Sequence, residues 1–248
     1  MHRINITIRQ KRYGGHLVIR DLSLQIEGGE IVALVGPSGC GKTTLLNLIA
    51  GLDRDFEGEI DLGGRFPRTG YVFQTPRLLP WRTVRQNLEL VARDRSRIGE
   101  FLEIAGLSGF ADAFPKALSL GMQRRVAILR AFLFEPELLL MDEPFVSLDP
   151  ETVVAMQRLL KRLWRERPYP TLLVSHDLPE VLRIADRIVF LARDPCRIVE
   201  EVPLKPFPGL RSEEEIEAVI ATLPPRWSRW YTARPGSPPA TRREEGPP

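Results

Sequence analysis

The stretch Gly36-Pro37-Ser38-Gly39-Cys40-Gly41-Lys42-Thr43-Thr44 constrains this chain more than any other. It reads G-x-x-x-x-G-K-T, a phosphate-binding loop pattern. The run before it, Glu30 to Val35, is apolar and β-branched, as in a buried strand. The run after it, Thr44 to Ala50, suits a helix that Gly51 stops. In that context the glycines let consecutive N–H groups curl around an anion, and the helix start adds partial positive charge. Lys42 supplies a mobile cation for the outer phosphates, and Thr43 offers a hydroxyl to Mg²⁺. Cys40 reads as a small residue whose backbone N–H is what matters.

Composition narrows the class. Of 248 residues, 43% are apolar and 27% charged, as in soluble globular proteins. No run approaches the roughly 18 apolar residues of a membrane span, and Met1 to Ile6 lacks a signal-peptide pattern. Two cysteines, Cys40 and Cys196, make no disulfide framework, so a reducing, cytoplasmic setting is expected. The net charge of +3 is spread along the chain, so no nucleic-acid partner is expected.

Alternation at Ile4, Ile6 and Ile8, and again from Leu17 to Ile26, predicts two half-buried strands, with a turn at 11–15 that exposes Tyr13. Short alternation between glycines at 51–64 predicts strands and a hairpin, and Gly70 to Gln74 a further strand. Residues 75–135 turn helical, with helices expected at 83–93, 98–105 and 119–134. Leu138 to Met141 and Thr171 to Val174 read as buried strands ending on polar residues. A helix is expected from about 150 to 167, a short one at 179–185, strands at 187–192 and 197–202, and an acidic helix at 213–222. From Pro224 on, proline-rich sequence without apolar periodicity predicts a disordered tail, and its aromatic-basic start, Arg226 to Tyr231, suggests a fold-back or a membrane-side contact.

An acid ending an apolar strand is costly unless it serves a metal, which points Asp142 at the Mg²⁺ of the phosphate loop. Glu143 follows at once, directed differently, and suits polarising a water for attack on a γ-phosphate. Gln74 and His176 also end predicted strands, on the side where open α/β sheets bind ligands.

Residues 1 to about 203 thus resemble the nucleotide-binding subunit of ABC transporters. Gly36 to Thr44 resembles Walker A, Leu138 to Glu143 Walker B, Leu118 to Gln123 the signature LSGGQ, and Ser147-Leu148-Asp149 the D-loop. The resemblance implies that Tyr13 stacks on adenine, that Gln74 reaches the metal and the attacking water, and that His176 is the switch histidine. It implies an α/β P-loop fold with a mixed sheet, an antiparallel β subdomain and a helical subdomain inserted at about 75–135; with the acidic helix included, the expected domain spans 1–223 and the proline-rich tail 224–248. ATP and Mg²⁺ are the implied cofactors. Catalysis would fall to Glu143, Gln74, His176 and Lys42, and the metal to Thr43, Gln74 and Asp142. Ser119 and Gly121 would contact ATP held by a second copy or a paired ATPase subunit, with Asp149 nearby.

The signature departs from the family pattern at Leu120, Met122 and Arg124. Within the family, Val72 to Val84 is similar to the branch importing nitrate, sulfonates, taurine and related solutes. That implies membrane permease partners docking near Leu79, Trp81 and Arg82, an extracytoplasmic binding protein acting indirectly, and a place on the inner membrane face. A soluble regulatory or assembly ATPase and an ATP-gated binding module are the alternatives. A nucleic-acid remodelling ATPase would need coiled-coil insertions for which 75–135 is too short.

Overall fold

A computed structural model describes residues 3–64, 67–205, 207, 209–224 and 227. Two compact units partition the chain, one running to Arg211 and one starting at Ser212.

In the first unit, β1 (Ile4–Tyr13) and β2 (His16–Ile26) form an antiparallel hairpin. β4 (Glu57–Asp61) pairs with the other edge of β1, giving a three-stranded sheet ordered β2-β1-β4. Ile4, Ile6 and Ile8 meet Leu22, Leu24 and Ile26 in the core, while the residues between them face outward or sit half-buried. Two expectations shift at this sheet. The turn expected at 11–15 is only Gly14-Gly15, because the ladder runs on through Tyr13↔His16. The stretch 51–64 yields one strand rather than a hairpin: residues 51–56 stay irregular, with the carboxylates of Asp53 and Asp55 turned to the buried Lys11.

The second sheet has six strands ordered β5-β6-β7-β3-β8-β9. These are β5 (Thr69–Val72), β6 (Leu138–Asp142), β7 (Thr171–Ser175), β3 (Ile31–Val35), β8 (Arg187–Ala192) and β9 (Arg197–Pro203). All neighbours are parallel except β8 and β9. Every residue of β3, β6 and β7 is buried, which is why these stretches read as apolar runs without alternation. The parallel strands bring the ends of β3, β5, β6 and β7 to one edge of the sheet.

Around the sheets lie α1 (Lys42–Ile49), α2 (Val84–Glu89), α3 (Ile98–Ile104), α4 (Leu120–Leu133), α5 (Pro150–Glu166) and α6 (Leu178–Leu182). No strand interrupts residues 75–135, in line with a helical insertion. α4 packs against α2, β5 and α5, burying Val126, Ile128, Leu129 and Phe132. α2 stops at Glu89, earlier than expected; its start is a capping box in which Thr83 and Gln86 exchange side-chain and backbone hydrogen bonds.

In the second unit, α7 (Glu213–Thr222) opens on another capping box between Ser212 and Glu215, with three glutamates in its first turn. The tail expected from 224 onward lies outside the described residues, apart from Pro224 and Trp227.

Candidate functional site

The loop after β3 must leave a buried strand and enter α1 within a few residues. Gly41 makes that turn as the helix N-cap, at a φ of 105°. A side chain there would be strained in backbone and would also lie 3.2 Å from Val18 Cγ1 and Cys196 Cβ, so glycine is required twice over. The loop is consequently seated on the β2 segment and on the turn before β9.

A cavity of about 360 Å³ opens at this edge. Ser38, Gly39, Gly41, Lys42, Thr43 and Thr44 line its floor, and Tyr13 its rim. Gln74, Asp142 and Glu143 complete it from the ends of β5 and β6. Four separated stretches predicted to serve one site therefore meet at one cavity. Gly36, Pro37 and Cys40 belong to the loop without lining the cavity. Cys40 is buried, and its N–H donates to Pro37 O at 3.2 Å.

Lys42 Nζ donates to Gly36 O at 2.6 Å and to Pro37 O at 2.9 Å. The ammonium is thus folded over its own loop, a few bond rotations from the space above it. Thr43 Oγ1 donates to Asp142 Oδ2 at 2.7 Å. Burial pushes the Asp142 carboxyl above its usual range, and the neighbouring Glu143 adds to this; Thr43 and Lys42 pull against them without reversing it. A carboxylate held that way gains from a cation. Asp142, the Thr43 hydroxyl and the Gln74 amide are oxygen donors at one cavity of the kind that suits Mg²⁺, an ion bound through one or two carboxylates with phosphate and water filling most of the rest.

Asp142 ends β6 and Glu143 follows it; were the strand to continue, their side chains would point to opposite faces. Both nevertheless line the same cavity. The reason is the backbone of Glu143, which sits in the left-handed region at a φ of 49°. That conformation costs a non-glycine residue roughly 1–2 kcal/mol. Its N–H donates to Val174 O at 2.9 Å, and Arg124 Nη1 donates to its carbonyl at 3.3 Å. The Glu143 carboxylate meets His176 Nδ1 at 2.9 Å. His176 follows β7 with its side chain largely exposed, so it touches the cavity only through Glu143.

Ser119, Gly121 and Asp149 do not line this cavity. Ser119 caps α4, accepting the Met122 N–H at 3.2 Å, and Leu120 beside it is half exposed. A Cβ on Gly121 would lie 3.2 Å from Ser147 O, so this turn of α4 packs closely on the loop before α5. Asp149 caps α5 through the Thr152 N–H. His16 and Val18 line the cavity and were not among the expected residues. The pair Gly14-Gly15 was the available signal: a tight turn there sets His16 opposite Tyr13.

Residues 19–146 match the family described as ABC transporter. The chain is 44% identical over 205 residues to the aliphatic sulfonates import ATP-binding protein SsuB 1 of Pseudomonas savastanoi pv. phaseolicola, covering 81% of this chain and 85% of that protein. It is 40% identical over 231 residues to the SsuB protein of Bacillus licheniformis, covering 87% and 91%. Among solved structures, a dimeric post-hydrolysis ATP-binding cassette bound to ADP and Pi superposes with a TM-score of 0.72 at 31% identity, over 82% of this chain and all of that one. An ATP-binding subunit of an ABC transporter gives 0.74 at 28% identity, over 81% and 90%. Matched by this family model over residues 19–146, and 40–44% identical to these two relatives over most of its length, the chain belongs to the ABC transporter family as an ATP-binding, ATP-hydrolysing cassette.

Proposed function

We propose that this chain powers an importer of aliphatic sulfonates or of a related small solute such as nitrate or taurine. The observation that carries the reading is the identity of 38–44% over most of the chain to relatives named for aliphatic sulfonate import. The rival of a soluble regulatory ATPase has no comparable support.

In this reading the backbone of residues 36–44 and Lys42 hold the ATP phosphates, and the base stacks on Tyr13. Thr43, Asp142 and Gln74 would hold Mg²⁺, which would supply charge neutralisation to the phosphates. Glu143 accepts the proton of the attacking water, and His176, at 2.9 Å from its carboxylate, orients it. The site needs a lid. Ser119 and Gly121 lie away from this cavity at the start of a 14-residue helix whose positive end suits phosphate, so they serve the cavity of a second copy, with Asp149 beside that junction. Closing two copies around two ATP and reopening them after hydrolysis gives the stroke. Trp81, 70% exposed, and the neighbouring Leu79 and Arg82 offer the surface on which membrane permease helices dock. Among the described residues no helix is long and apolar enough to cross a membrane. Such a cassette would work from the inner membrane face and take no part in choosing the solute.

The test is uptake of a radiolabelled alkanesulfonate by cells whose only copy of this gene encodes Glu143→Gln. Uptake should fall to background while sulfate uptake is unchanged. Undiminished uptake of alkanesulfonate, taurine and nitrate alike would contradict the assignment.

A further inference from the structure

Lys11 is a lysine with 1% of its surface exposed, an unusual place for an ammonium. Its Nζ lies 3.0 Å from both carboxylate oxygens of Asp53, 3.4 Å from Asp55 Oδ2, and donates to the Asp55 carbonyl. It also sits 4.5 Å from the centre of the Tyr13 ring. Tyr13 Oη in turn donates to Asp53 Oδ2 at 2.8 Å. Three side chains therefore close a triangle: a cation beneath the ring, a carboxylate gripping both the cation and the phenol, and the phenol itself.

The triangle is anchored. The N–H groups of Leu52 and Asp53 both donate to Asn47 O, at 2.9 and 3.2 Å. Asn47 belongs to α1, the helix whose N-terminus is the phosphate loop. The ring is thus fixed to the same rigid element that fixes the phosphates. The half-exposed ring has the buried ammonium over it and lines the cavity. Electrostatics agree with a tight triangle. Burial works against the charged forms of Lys11 and Asp53, yet their hydrogen bonds win, raising the lysine and lowering the aspartic acid; burial and then Asp53 push the Tyr13 phenol up.

We infer that Lys11 and Asp53 are positioning residues for the nucleotide base: they hold the Tyr13 ring at a set height and distance from the phosphate loop, so that a heteroaromatic base attached to a triphosphate stacks without reorganising the site. The inference rests on the reading that Tyr13 is the base platform. A platform already held in place spares the ligand the cost of ordering it, and a cation beneath the ring strengthens its contact with an aromatic plane.

The experiment compares ATP with inorganic tripolyphosphate, which has the phosphates and no base. Affinities of the full-length chain for each are measured by calorimetry, with thermal melts run alongside. Lys11→Met, Asp53→Asn and Tyr13→Phe should each weaken ATP by about fivefold and leave tripolyphosphate within about twofold. Tyr13→Ala should lower ATP affinity further, again with tripolyphosphate spared. If Tyr13→Ala leaves the ratio of the two affinities unchanged, the platform reading fails and the inference with it. If Tyr13→Ala shifts the ratio but the other three do not, the platform stands and the positioning role is overturned. Equal losses for both ligands in Lys11→Met and Asp53→Asn would make the triangle a purely structural brace. Tyr13→Phe keeps the ring and removes the phenol's contacts with Asp53 and Thr44, so read beside Asp53→Asn, which removes only the Asp53 carboxylate, it decides the matter even where Lys11→Met does not fold.

Discussion

Lys42, Glu143 and Glu180 show what single residues contribute. Lys42 directs its hydrogen bonds at Gly36 O and Pro37 O, so the loop stores the cation where phosphate oxygens would replace two carbonyls. Lys42→Ala removes a charge-assisted contact of about 1.5–3 kcal/mol, and ATP affinity measured by calorimetry should fall by roughly 10- to 100-fold. Glu180 is a second acid of unusual character. Burial, and then Asp177, push its carboxyl up to about 8, with Glu143 adding further repulsion. Its folded-state value is raised, so it stabilises the fold fully at low pH. That contribution is lost as pH climbs from the ordinary glutamate range towards 8, because the unfolded chain sheds the proton first. Glu180→Gln should therefore remove a stability loss on the order of 2–4 kcal/mol between about pH 5 and pH 8, read by urea denaturation at several pH values. Stability that falls equally with pH in the variant would place the buried proton elsewhere.

At the scale of elements, the site is a set of strand ends. β3, β6 and β7 are legible in sequence because fully buried parallel strands are apolar runs, and β6 and β7 each end on a polar residue. The phosphate loop was equally legible, since its glycines and lysine are contiguous. Tertiary features were not. Lys11 reads as a turn residue until β4 and the 51–56 loop are folded over it. His16 and Val18 reach the cavity only through the register of the β1–β2 hairpin. Glu143 faces the cavity only because its backbone is left-handed, and no local pattern signals that. The start of α4 makes a prediction of its own. Ser119→Ala deletes the cap and should cost about 1 kcal/mol in urea unfolding, while Ser119→Asp, which also caps helices, should keep most of that stability. If Ser119 closes over the ATP of a second copy, Ser119→Asp should still lose ATP-dependent pairing in sedimentation experiments, because a carboxylate there would face a γ-phosphate.

At the scale of the whole molecule, the proposed function gives one chain a floor for its own nucleotide and a lid for another's. Leu120, half exposed at the head of α4, stands where the family pattern has glycine, and in the proposed dimer a side chain there would crowd the approach of a second copy. Leu120→Gly should tighten the ATP-bound dimer in sedimentation experiments, and an unchanged or weaker dimer would show that the leucine packs favourably at the junction. Beneath that stands the claim that the assembled cavity hydrolyses ATP through Glu143. Phosphate release from ATP, measured for the purified chain and for Glu143→Gln side by side, tests it most directly. Turnover is expected in the native chain and a loss of about 10²-fold or more in the variant, with ATP still bound. Equal rates in the two proteins would contradict a role for Glu143 in the chemistry.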